Sequence, residues 1–344
     1  MQQNKGVGVR MNMLLVLLLA AVLAGPFLSK FAERYLEFYL FWLGLAAVLV
    51  SGTWSQELLA SSVKEPIAIT IAVFAAGVIF RIGQAPFGRA VHFAEQHLPS
   101  RLFTAFFVFG IGLLSSVITA IIAAVLLVSV VSLLDYDRRS QIRLVILSCY
   151  SIGLGAVLTP LGEPLSTIAT SRLGESFFFL YRLLGDDVLL AMAVIAAAAA
   201  VFVGPPGHCS QAMPEKETWQ AIAGRSGQVY VFVLALGFLG AGFAPLLGHL
   251  LEGRSPAFLY WANMISAVLD NATLASIELN PSMDNTAVRA ILMGLIISGG
   301  MLIPGNIPNI IAAGKLSISS REWAVFGVPV GLAGMLLYFL LFVQ

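Results

Sequence analysis

Four short polar interruptions stand inside an otherwise apolar sequence, and they hold most of the side chains there that could bind an ion. Two lie in the middle of long apolar runs. "GLLSSVITAIIAA" carries Ser115, Ser116 and Thr119, and "SAVLDNATLAS" carries Asp270, Asn271 and Thr273. The other two are helix-breaking. "SIGLGAVLTPLGEPLSTIATS" carries Glu163, Ser166 and Thr167 between Pro160, Gly162 and Pro164, and "LIISGGMLIPGNIPNIIAAGK" carries Asn306 and Asn309 between Pro304, Gly305 and Pro308. Carbonyls freed at the breaks (Thr159, Leu161, Ile303 and Gly305) would add to these. Nearly all the donors are hard oxygens, which suit a cation such as sodium, whereas a soft metal would want sulfur or imidazole. C-terminal ends of half-helices would favour a cation further. Asp270 and Glu163 can also titrate, so a proton and a cation can compete for one oxygen, the minimal chemistry of an exchanger. A carboxylate at mid-membrane depth costs a few kcal/mol, which an ion site would explain. The plainer alternatives are a helix cap at Asp270 and Asn271, a surface turn at Glu163, and helix packing by Ser115, Ser116 and Thr119.

The elements that must position these groups follow from composition. Of 344 residues, 59% are hydrophobic and only 11% charged, against about 25% charged in soluble domains. The chain therefore reads as an all-α polytopic membrane protein whose first partner is the lipid bilayer. Its 32 glycines suit close helix packing in lipid, and a net charge of +1 argues against nucleic acid. Cys149 and Cys209 predict neither a disulfide framework nor a metal site. No HExxH or GxxxxGK[ST] motif occurs, so neither a metalloprotease nor a nucleotide-driven pump is expected. The sequence offers no nucleophile–base pair, so the chain does not read as an enzyme. Asp135, Asp137, Asp186 and Asp187 lie at span ends, where solvation is expected, and Lys315 and Arg321 read as interfacial anchors.

Apolar runs predict eight transmembrane helices near 11–29, 35–51, 66–82, 141–158, 186–203, 228–248, 287–302 and 322–342. The run 102–134 is too long for one crossing and has no loop for two. It and 257–279 read as re-entrant hairpins, with irregular backbone tolerated only beside protein or a wet cavity. The first run, after Lys5 and Arg10, reads as an uncleaved helix rather than a signal peptide. At an offset of 144, Gly155, Leu158, Pro160, Pro164 and Ala169 meet Gly299, Leu302, Pro304, Pro308 and Ala313. Paired interrupted segments point to a transporter's binding site. The organisation is then an N-terminal pair of spans (1–65), a first repeat (66–203), a connector (204–227) and a second repeat (228–344). Three crossings per repeat make the second copy inverted. Arg81, Arg89, Arg101, Arg138, Arg139 and Arg143 place the connectors of the first hairpin in the cytoplasm and both termini outside.

The four interrupted segments resemble a prokaryotic family of unknown function regarded as cation transporters, over most of residues 66–342. That family is similar to the ion transporter superfamily of sodium/proton antiporters, arsenite permeases and divalent-anion/sodium symporters. The resemblance implies inverted repeats, each with a hairpin and a broken helix, meeting at a central site. Its hairpin positions map to Ser115, Ser116, Thr119, Asp270, Asn271 and Thr273. Its broken-helix positions map to Gly162, Glu163, Pro164, Gly305, Asn306, Pro308 and Asn309. The Ser-Asn-Thr triplets of the dicarboxylate symporters are missing, and acids stand at two of the four places. The expected protein is thus an inner-membrane, multi-pass Na+(Li+)/H+ antiporter without a cofactor. Asp270 is its principal carrier and Glu163 its second carboxylate, and sodium is held at Asp270, Asn271, Glu163 and Asn306. The competing expectation is sodium-coupled symport of a small anion, and an intramembrane enzyme is a remote third. Analogy with the superfamily alone would make it a homodimer.

Overall fold

The structure, a computed structural model, describes the chain except residues 1, 65, 68, 69, 72, 76, 77, 79, 80, 83–96, 208–217, 252, 253, 270, 280 and 344; side chains are also undescribed at 2–10, 27, 33, 225, 249–251 and 277. Among the described residues there is helix and no strand. In chain order the helices are α1 (Gln2–Leu28), α2 (Lys30–Arg34), α3 (Leu36–Ser51), α4 (Ser100–Ile118), α5 (Ala120–Leu133), α6 (Arg138–Ala156) and α7 (Pro164–Leu173). Then come α8 (Phe179–Phe202), α9 (Trp219–Leu251), α10 (Pro256–Ala262), α11 (Asn271–Glu278), α12 (Asn285–Gly299), α13 (Ile307–Leu316) and α14 (Ser320–Tyr338). Residues 56–64 are mostly helical too, but the predicted span 66–82 is described only in part. Among the described residues four helices are long and apolar enough to cross a membrane, namely α4, α8, most of α9, and α14 with its extension to Val343. Shorter apolar helices accompany them. The protein is therefore an all-helical, multi-pass membrane protein.

Both long interruptions are present, in different forms. The run expected as the first hairpin is two helices, α4 and α5, joined at Thr119. Its first arm alone has 19 residues, or roughly 28 Å at 1.5 Å per residue, so it could cross the bilayer by itself. The second is shorter throughout. Helix α10 has 7 residues, a 3₁₀ turn spans Asn263–Ala267, and α11 has 8 residues.

Small residues let the helices approach closely, as in lipid they must. A Cβ on Gly44 of α3 would stand 3.0 Å from backbone atoms of Ala235 and Leu239 on α9, and one on Gly242 of α9 would reach Cβ of Ala47 at 2.6 Å. Helices α4 and α6 cross at Gly112 and Gly155, where an added Cβ on Gly155 would overlap the Gly112 carbonyl. Helix α14 is held by polar ties that its composition does not advertise. Tyr150 donates to Gly327 O at 2.7 Å, Tyr260 to Met335 O at 2.8 Å, and Trp323 Nε1 to Gly300 O at 3.1 Å. At its start, Ser319 and Glu322 form a capping box, and Arg138 reaches both Glu322 carboxylate oxygens at 2.9 Å.

One predicted surface acid is not at the surface. Asp186 is exposed, but Asp187, one helical step round α8, is 8% exposed. It accepts from Tyr338 OH at 2.7 Å and lies 3.5 Å from Arg289 of α12. Asp187→Ala is expected to lower stability by about 1–3 kcal/mol, because it leaves a buried Tyr338 hydroxyl without its acceptor. Asp187→Asn keeps an acceptor and weakens only the pairing to the partly exposed Arg289, about 1 kcal/mol or less. Thermal unfolding of the purified variants would rank them, and an Asn variant as unstable as Ala would contradict the assignment.

Candidate functional site

The two breaks are built alike, but not in the register suggested by their prolines. Helices α7 and α13 each have 10 residues, begin after an extended N-cap (Glu163, Asn306), and end on a left-handed C-cap (Gly174, Ser317). Both caps are 143 residues apart, from 163 to 306 and from 174 to 317. The hydrogen bonds follow the same register. Gly162 N donates to Thr159 O and Gly305 N to Leu302 O. Ser166 Oγ donates to Ala156 O at 3.0 Å, while Asn309 Nδ2 donates to Gly299 O at 2.9 Å. Each buried side chain thereby bridges its break back to the end of the preceding half-helix. The shift from 144 to 143 arises because Pro164 is the first residue of its helix and Pro308 the second. Either place suits proline, since amides of the first helical turn have no partner within the helix. In this register Glu163 corresponds to Asn306, and Ser166 to Asn309.

A cavity of about 400 Å³ lies where the interruptions meet. Its wall includes Thr119, Glu163, Thr167, Asn271 and Asn306, and contains no Lys, Arg or His among the described residues. Pro160, Gly162, Pro164, Gly305 and Pro308 complete the predicted positions found there. The helical residues in the wall come from the starts of α5, α7, α11 and α13. Four helix N-termini therefore face the cavity, together with one C-terminal end, that of α4 at Thr119. The expectation named C-terminal helix ends alone, and N-termini outnumber them here.

Free amides are nevertheless few at the starts of α5, α7 and α13. Ala120 N is taken by Gly162 O at 2.8 Å, and Ile122 N by Thr119 Oγ1 at 3.4 Å. Pro164 and Pro308 have no N–H, while Ser166 N and Asn309 N bond back to Glu163 O and Asn306 O. The N-cap side chains of Glu163 and Asn306 do not cap their own helices, forgoing about 1 kcal/mol each. Glu163 is only 8% exposed. Thr119 sits at φ 76°, ψ 147°, a conformation costly for any β-branched residue, of order 1–3 kcal/mol, and of the kind found where a site over-determines the backbone.

The remaining predicted residues lie behind the wall. Ser115 donates to Gly112 O and Ile152 O, and Ser116 donates to Leu113 O, so both hydroxyls serve helix packing. Thr273 faces Gly240 on α9. Asn309 is fully buried and holds Gly299 O and Leu302 O, a positioning role, and Pro304 is buried in the second break. Asp270 lies outside the described residues. Sequence reasoning missed Ser266, which donates to the Asn271 side-chain oxygen and fixes that amide at the tip. Oxygen crowds this corner. A Cβ on Gly299 would stand 3.0 Å from Asn271 Oδ1 and 3.1 Å from Gly305 O, and one on Gly305 would stand 2.9 and 3.0 Å from the carbonyl oxygens of Ser266 and Ala267.

Residues 11–344 match the family described as "Protein of unknown function (DUF1646)". No curated protein matches the chain.

Proposed function

The chain belongs to the DUF1646 family, and from that premise we propose that it is a secondary transporter exchanging a small inorganic cation, sodium or lithium, for protons. One observation carries the reading: both helix breaks and both interrupted runs surround a single cavity whose wall includes the carboxylate Glu163 and, among the described residues, no basic side chain. Glu163 and Asp270 would alternately hold the cation and protons, while Thr119, Asn271 and Asn306 supply neutral oxygens. The helix N-termini there add a positive field. Two ionised acids cancel that field, so the empty site is close to neutral and can release its cation, as transport requires.

The fold that goes with this reading is a pair of inverted repeats in the cell's inner (cytoplasmic) membrane, with the matching 143-residue register of the two breaks as its support. Alternating access would move one repeat element against the other. The four N-termini also favour a second reading, sodium-coupled uptake of a small anion. Against it stand the capped or missing amides, which leave an anion few donors of the kind a helix N-terminus normally offers.

Proteoliposomes with an internal pH dye separate the two. Under an imposed pH gradient, one of sodium, lithium, potassium or calcium is expected to collapse the gradient in wild type but not in Asp270→Asn. No response to any cation from inserted, folded protein would end the exchanger reading. Sodium-driven anion uptake without proton movement would establish the symporter instead.

A further inference from the structure

A second buried carboxylate lies away from the cavity wall. Glu278, the last residue of α11, is 6% exposed, and Asn263, which caps the end of α10, is fully buried. Asn263 Nδ2 donates to Glu278 Oε2 at 3.0 Å. The two other oxygens of the same groups, Glu278 Oε1 and Asn263 Oδ1, are buried with no hydrogen-bond partner. Both are acceptors if Glu278 is ionised, and a buried polar atom without a partner is costly. A single proton on Oε1 resolves both atoms at once. It makes the carboxyl a donor to Asn263 Oδ1 and closes a two-hydrogen-bond ring between an acid and an amide.

Among the described residues the surroundings offer no other remedy. Of the described ionisable groups on the helices packed around α11, Arg172 on α7 is exposed and makes no ion pair with Glu278, and Tyr230 on α9 donates to Val63 O. Arg289 on α12 is engaged with Asp187 and Leu183 O. The C-terminus of α11 also disfavours a negative charge at its last residue. Asn263 is further anchored, because Ser298 Oγ of α12 donates to its carbonyl at 2.6 Å.

We propose that Glu278 is a proton-binding site separate from the cavity, a neutral acid in the resting protein that clasps the arms α10 and α11 together through Asn263. Loss of its proton to water leaves a carboxylate facing Asn263 Oδ1, breaks one side of the ring, and loosens the segment that carries Asn271 to the cavity. The site requires only a proton as ligand, and it stands whether or not the chain exchanges cations.

Infrared spectra of wild type and Glu278→Gln at neutral pH, in H2O and D2O, test the protonation. A carboxylic-acid carbonyl band that shifts in D2O and is lost in Glu278→Gln is expected, because Gln can donate and accept in the same ring. A difference spectrum showing only loss of a carboxylate band would overturn the assignment. If Glu278→Gln does not fold, the wild-type acid band compared with that of Asn263→Ala serves instead: a shift supports the ring and an unmoved band rejects it. Hydrogen–deuterium exchange over 271–278, corrected for intrinsic rate, should increase with pH in wild type and stay flat in Glu278→Gln. Identical pH dependence in both would overturn the clasp.

Discussion

Glu163→Gln is expected to weaken cation binding roughly 10- to 150-fold and to flatten its dependence on pH, leaving only the share carried by Asp270. The estimate follows from the side chain's chemistry. A contact to an ionised oxygen is worth about 1.5–3 kcal/mol, and each 1.4 kcal/mol is about tenfold in affinity. Gln keeps the size and one neutral oxygen, so the cavity is retained while the charge is lost. In wild type a proton competes with the cation for the carboxylate, so affinity falls as pH falls and rises until the carboxylate is fully ionised. Without the Glu163 carboxylate that slope becomes shallower. Cation-dependent proton movement in liposomes at several pH values measures both effects. A variant with wild-type slope would place the titrating group elsewhere.

The second large effect is structural. Gly162→Ala and Gly305→Ala are each expected to destabilise the protein by about 3 kcal/mol or more, the upper end of overpacking. An added methyl at Gly162 would overlap the Ala156 carbonyl, and one at Gly305 would overlap the Gly299 carbonyl while crowding those of Ser266 and Ala267. All these obstacles are backbone, so no rotamer change can relieve them. Gly314→Ala is the matched control, because nothing lies within 4 Å of its added Cβ and it sits inside α13. There the better helix propensity of alanine should stabilise by up to about 1 kcal/mol. Thermal unfolding in detergent would check all three, and a tolerated Gly305→Ala would mean that the break is not packed as described.

What the sequence made legible were features that leave a composition signal. Uninterrupted apolar runs located most helices, since a membrane demands length and greasiness together. Gly and Pro located both breaks because each acts on the backbone directly. Those prolines also misled by one residue, since the first two positions of a helix accept proline equally and only the caps fix the register. Features made by pairing across distance left no local trace. The Asn263–Glu278 contact spans a turn, and Asp187 differs from the exposed Asp186 only by one step around a helix. The predicted site divides for the same reason. Thr119, Glu163, Asn271 and Asn306 stand at helix starts where the chain opens, whereas Ser115, Ser116 and Asn309 lie behind it; the two serine hydroxyls are used up on backbone carbonyls, and Asn309 spends its Nδ2 there while its Oδ1 has no hydrogen-bond partner.

The account turns on an ion binding in the cavity at Glu163, and equilibrium binding of radioactive sodium to purified protein tests this most directly. Wild type and Asp186→Asn, which alters an exposed acid outside the cavity, should show the same saturable binding, and Glu163→Gln should bind roughly 10- to 150-fold more weakly. Undiminished sodium binding by folded Glu163→Gln would contradict the account.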